Sequence, residues 1–83
     1  MMYNYFLLVG IVEKITKNSI NIFCSGEHLE LMISDSILDS INNIEIDQMI
    51  GIVGVIKEAG LFIDRIVYLE NKKVDYEDES KSN

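Results

Sequence analysis

Residues 19–33 fit an extended conformation in only one register, and that register constrains the whole chain. Ser19-Ile20-Asn21-Ile22-Phe23-Cys24 alternates apolar and polar, as does Glu27-His28-Leu29-Glu30-Leu31-Met32-Ile33. Ser25-Gly26 between them has the length and composition of a two-residue reversal. With Cys24 and Glu27 flanking the turn, Ile22 faces Leu29 and Ile20 faces Leu31 on one side. Phe23 then faces His28, and Asn21 faces Glu30, on the other. A slip of one residue would turn every apolar side chain to the wrong face, so agreement between the two strands supports a hairpin. A hairpin with one apolar face needs more strands to cover it.

The flanking segments supply them. Tyr5 to Thr16 is rich in β-branched and aromatic residues, which predicts a long strand with a bulge or sharp bend at Gly10. Lys17-Asn18 is a short polar turn. Ser34 to Asn43 predicts a helix of about two turns. Ser34 or Ser36 would cap it, Ile37, Leu38 and Ile41 would form its apolar stripe, and Asn42-Asn43 would give a left-handed stop. Met49 to Lys57 reads as a strand apolar on both faces, and Glu58-Ala59-Gly60 as a tight connection. Leu61 to Leu69 reads as a last strand with a bulge near Asp64-Arg65. Residues 1–70 are expected to form one domain and residues 71–83 a disordered acidic tail, since Lys72 to Asn83 offers almost nothing to bury. Strand, strand, strand, helix, strand, strand with short links is the element order of the oligonucleotide/oligosaccharide-binding (OB) barrel. The expected fold is therefore an all-β, five-stranded OB barrel with one short helix between strands three and four.

Charge and cysteine content narrow the function. The chain of 83 residues carries 14 acidic and 7 basic residues, a formal net charge of −7. Residues 1–70 hold Lys14, Lys17, Lys57 and Arg65 against ten acids, so the tail is not the source of the imbalance. Such a chain lacks the field of a general polyanion binder. The single cysteine, Cys24, forms no intrachain disulfide or zinc framework and suits a reducing cytoplasm. The start has no basic region ahead of an apolar stretch, and no apolar run is long enough to cross a bilayer as a helix, so neither a signal peptide nor a membrane helix is expected. A core this small makes self-association a natural expectation.

Asn4-Tyr5-Phe6-Leu7-Leu8-Val9-Gly10-Ile11-Val12 resembles the opening strand of bacterial single-stranded DNA-binding proteins, of the form Asn-x-x-x-Leu-Val-Gly-x-Leu/Val. Met49 to Lys57, followed by Phe62 to Leu69, is similar to that family's fourth and fifth strands. The resemblance runs in order through residues 4–70 in short apolar pieces. It implies sequence-nonspecific binding of single-stranded DNA in replication, repair or recombination, and a homodimer or homotetramer built through the first strand. The chain departs from the family pattern in three ways. The hairpin loops that grip DNA are cut to a few residues, the acidic tail ends in Lys81-Ser82-Asn83 without an apolar hook, and there is no tryptophan.

Outward-facing positions carry the candidate sites. If Leu8, Gly10 and Val12 point inward, Tyr5, Leu7, Val9 and Ile11 point outward. On the fourth strand, Ile50, Ile52, Gly54 and Ile56 inward leaves Met49, Val53 and Val55 outward. Strands one and four are neighbours in an OB barrel, so these seven side chains form an expected oligomer interface. Single-strand binding needs aromatic platforms and cations along the backbone path. The candidates are Phe23 and His28 side by side, Lys14 and Lys17 at the first turn, Lys57 at the last hairpin, and Arg65 and Tyr68 on the fifth strand. Base stacking does not separate DNA from RNA.

No catalytic, metal or cofactor site is expected. There is one His, one inward Cys and no phosphate-binding glycine loop, since Gly51-Ile52-Val53-Gly54 lies within a strand. Asp35 and Asp39 share a solvated helix face, and Asp75, Glu77, Asp78 and Glu79 form a run without defined geometry. The alternative function is an oligomeric protein-interaction module that keeps the barrel and binds no nucleic acid.

Overall fold

The computed structural model describes residues 4–71, which form five strands and one short helical segment. Most of the expected tail lies outside the described residues. The strands are β1 (Tyr5–Ile15), β2 (Ser19–Cys24), β3 (Glu27–Ile33), β4 (Met49–Lys57) and β5 (Gly60–Leu69). They close into a barrel in the order β1-β2-β3-β5-β4, with β3 and β5 parallel and the other neighbours antiparallel. This is the all-β OB arrangement with one short helix between β3 and β4, as the element order led one to expect. No helix among the described residues is long and apolar enough to cross a membrane.

The β2–β3 hairpin has the register expected from alternation, with Ile20↔Leu31, Ile22↔Leu29, Phe23↔His28 and Cys24↔Glu27 paired. Ser25 and Gly26 turn it with φ of 53° and 83°, the two positive values that a primed reversal needs to match the strand twist. Inside the barrel, Val12, Ile20, Ile22, Leu31, Ile50, Ile52 and Ile63 are buried, and Ile37 and Ile44 close one end. Branched side chains suit this interior because they pack against neighbours on a pleated surface with little rotamer freedom to lose.

Several local expectations need correction. β1 pairs with β4 without interruption from Tyr5 to Ile11, so Gly10 carries no bulge. The irregularity sits between Val12 and Lys14, leaving Glu13 as the extra residue. Gly10 serves a close approach instead, because a Cβ there would lie 2.6 Å from the Phe23 carbonyl oxygen. The helix is a 3₁₀ turn (Asp35–Ile37) followed by a single α-turn, α1 (Leu38–Ile41). The Ser34 hydroxyl caps no backbone N–H of it; it accepts from the Ser36 hydroxyl at 3.0 Å and donates to the Ile63 carbonyl at 2.9 Å, and Asn42 is right-handed. With so little helix only Ile37 and Ile41 turn toward the core, and Leu38 is 50% exposed. Ile56 has inward parity but is 47% exposed, because it lies at the barrel's end, paired with Leu61 beyond the last core layer.

The expected bulge near Asp64-Arg65 is present, and β5 holds a second. Pairing with β4 skips Asp64 and then Val67, so Ile63, Ile66 and Leu69 turn inward at intervals of three. The long link before β4 is tied down by Gln48, which is buried. Its Oε1 accepts from the Glu45 N–H at 2.8 Å and its Nε2 donates to the Glu70 carbonyl at 2.7 Å.

Candidate functional site

Directly paired residues of an antiparallel sheet point to the same face, so the registers define the outer surface row by row. One row holds Tyr5, Val55 and Phe62, and the next Leu7, Val53 and Arg65. The third holds Val9, Gly51 and Tyr68, and the fourth Ile11 and Met49. All seven residues assigned by parity to an oligomer interface therefore lie on one wall. Tyr5, Leu7, Val9 and Met49 are exposed, Leu7 most of all at 69%, while Ile11, Val53 and Val55 are half-buried between their neighbours. The wall is wider than expected, because β5 adds Val67 and Tyr68, both exposed. Gly51 is buried in it beneath neighbouring side chains. A Cβ there would meet Tyr68, Val67 and Val9 side chains at 3.1–3.6 Å.

The seven nucleic-acid candidates do not gather in one place. Phe23 and His28 stand together on the outer face of β2–β3, with ring centroids 5.0 Å apart and planes tilted by 49°. Lys14 pairs with Asn21 one step along the same face. Lys17 sits in the β1–β2 turn, which Thr16 holds through its Oγ1, accepting from the Asn18 and Ser19 N–H groups at 3.2 and 2.9 Å. Phe23, His28 and Lys14 share one face, with Lys17 in the turn at the far end of β2 from Phe23. Arg65 and Tyr68 belong instead to the apolar wall, in register with Val53 and Gly51. Lys57 lies at the β4–β5 turn with its Nζ 4.7 Å from the centre of the Phe62 ring.

The charges around Phe23 are mixed. The Nδ1–H of His28 donates to the Glu13 carboxylate at 2.8 and 3.1 Å. Glu30 pairs with Asn21 in the row of Lys14. Alternation alone missed Glu13, because only the β1 bulge turns it toward His28. Phe62 was missed for a similar reason, since the β5 bulges obscure the parity that makes it face outward beneath Lys57.

Phe23 also pairs directly with Ile11 of the wall. The row Met49, Ile11, Phe23, His28 therefore crosses β4, β1, β2 and β3 without a break, and the apolar wall and the aromatic pair share a border. A cleft of about 400 Å³ lies elsewhere, lined by Asn42, Asn43, Glu45, Gln48, Leu69, Glu70 and Asn71. It contains none of the candidate side chains and no cation, and its Gln48 amide bonds within the fold through both its oxygen and its nitrogen. No protein-family model and no curated protein matches this chain.

Proposed function

We propose that the chain is a self-associating OB barrel that binds single-stranded nucleic acid in the cytoplasm by stacking, without sequence preference. The observation that carries this reading is the exposed Phe23–His28 pair on the outer β2–β3 face, the face OB barrels use for oligonucleotides. A 40%-exposed Phe beside an imidazole offers a ring face to an unpaired base, and such stacking contributes roughly 1–3 kcal/mol per base. Lys14 lies one row away on the same face, and Lys17 stands in the turn at the far end of β2, as cations for the phosphates. The resemblance of β1, β4 and β5 to single-stranded DNA-binding proteins supports the same assignment, as does the apolar wall, which gives a second subunit a surface to cover. DNA is the ligand that the resemblance implies, in replication, repair or recombination.

An oligo-dT titration by fluorescence anisotropy tests this reading, with light scattering in parallel. Binding is expected at low salt with a dissociation constant on the order of 10 μM or tighter. With two cations engaged, log K should fall against log salt with a slope of about −1.4. A flat titration at low salt defeats the proposal.

The acidic surroundings favour one other reading. Glu13 occupies His28 and Glu30 lies beside Lys14, so a protein-interaction module without nucleic acid fits the charge of the fold. That reading requires a flat titration, an intact oligomer, and a partner recovered from nuclease-treated extract.

A further inference from the structure

The geometry points to a base-stacking site that is completed by a second copy of the chain, whose Tyr5 lies beside Phe23. This inference rests on the proposed reading, in which the wall is a subunit interface and Phe23 a stacking platform. It adds which residue crosses from one subunit to the other.

A two-fold interface is self-complementary, so the wall must be laid on itself. There are two ways to do this. The rows can match in the same order, which places Leu7 and Arg65 in one row on the partner's row of the same kind. The guanidinium, 68% exposed and only 3.9 Å from Asp64 at best, would then be pressed among aliphatic side chains. Alternatively the rows run in reverse, so that the row of Leu7, Val53 and Arg65 lies on the partner's row of Val9, Gly51 and Tyr68. Arg65 then meets an aromatic face, where a cation is attracted by the ring, and Val53 lies over the partner's Gly51. Desolvating the Arg65 charge among aliphatic side chains costs more than setting it against an aromatic ring, so the reversed arrangement is favoured.

The paired stretch of β1 and β4 runs from Tyr5↔Val55 to Ile11↔Met49 and is centred on Leu8↔Ile52. Reversal about that centre sets the partner's Tyr5 over Ile11. Ile11 is the direct cross-strand neighbour of Phe23, and such neighbours lie about 5 Å apart. The partner's Tyr5 therefore borders the Phe23 ring on one side while His28 borders it on the other, 5.0 Å away. The three rings form a slot for one unpaired base, repeated twice per dimer. Arg65 and Tyr68 hold the subunits together in this arrangement and do not contact nucleic acid.

Subunit mixing tests this directly. Tyr5→Leu and Phe23→Leu keep apolar bulk at each position while removing the ring. Each full-length variant alone should bind oligo-dT about tenfold more weakly than the parent chain. After the two are mixed under exchange conditions, a heterodimer pairs the Phe23 of one chain with the Tyr5 of the other in one of its two slots. About a quarter of all slots should then regain parental affinity at random exchange. If mixing restores nothing, or if Tyr5→Leu binds as the parent does, the shared slot is overturned while the stacking proposal stands. A parent chain that is dimeric but ignores oligo-dT defeats the stacking proposal itself, and a monomeric parent defeats the interface. Light scattering and the parental titration separate these outcomes, and the mixing result decides even if Tyr5→Leu alone dimerises poorly.

Discussion

On the β1–β4–β5 side of the barrel the outward positions are Tyr5, Leu7, Val9, Ile11, Met49, Val53 and Val55, with Arg65 and Tyr68 behind them. On the β2–β3 side they are Asn21, Phe23, His28 and Glu30, joined by Glu13 and Lys14 from the end of β1. Both faces clothe the same core of isoleucine, leucine and valine, so the interior says nothing about what either face does. The difference lies in how water treats them. The second face is solvated by carboxylate, amide and ammonium groups and exposes one aromatic pair among them. The first is apolar apart from the Arg65 guanidinium and the hydroxyls of Tyr5 and Tyr68, and is suited to being covered by protein.

The sharpest way to break that contrast is to make the first face resemble the second. Leu7→Asp puts a carboxylate at the most exposed apolar position of the wall. Leu7 already faces water in the single chain, so the fold itself should lose no more than about 0.5 kcal/mol. Association should suffer much more, because each symmetric contact contains two copies of the change. Removing two buried leucines and burying two charges should weaken a dimer formed through this wall by about 4 kcal/mol, roughly a thousandfold. Sedimentation velocity reads the result, and a variant that stays dimeric removes the wall from the interface.

Next in size is a change at the border between the faces. A methyl group at Gly10 would sit 2.6 Å from the Phe23 carbonyl oxygen and 3.2 Å from the Cys24 Cβ. The obstacle is backbone, which cannot rotate away, so Gly10→Ala should force β1 and β2 apart. Overpacking of this kind destabilises by up to about 3 kcal/mol, which lowers Tm by about 15 °C in a chain this small. Thermal unfolding by circular dichroism measures it. A change under about 1 kcal/mol would mean that the two strands are free to separate, and that the shared row of Ile11 and Phe23 is not fixed.

How much of this was legible before the fold was known depended on periodicity. The β2–β3 hairpin and the outward parity of β1 and β4 could be read from the chain because a period of two survives wherever the pairing is regular. At β5 the period is three, since Asp64 and Val67 are both extra residues. One bulge was legible near Asp64, but the second was hidden, and with it the outward direction of Phe62. Parity also carries no information about where a barrel ends, which is why Ile56 was placed inside. Most important for function, parity assigns a face within one strand but not which strand's face adjoins it. The shared border between the wall and the aromatic pair depends on the Ile11↔Phe23 register and the Glu13 bulge, and both belong to tertiary structure.

The smallest expected effect tests the charge of the second face alone. Glu13→Gln keeps an oxygen in reach of the His28 Nδ1–H and removes one negative charge from beside the Phe23–His28 pair. The pair is largely solvated, with the His28 side chain 70% exposed and that of Glu13 36%, so stability should change by less than about 0.5 kcal/mol. Binding should respond in the opposite sense. A phosphate passing about 8 Å from that carboxylate is repelled by roughly 0.5 kcal/mol in water, so the variant should bind oligo-dT about twofold more tightly at low salt. At 1 M salt, where screening acts within about 3 Å, the gain should vanish. A gain that persists at high salt would point to a change in the ring contacts, while none at low salt would place the phosphate path away from β2–β3 and leave Phe23 and His28 without a nucleic-acid role.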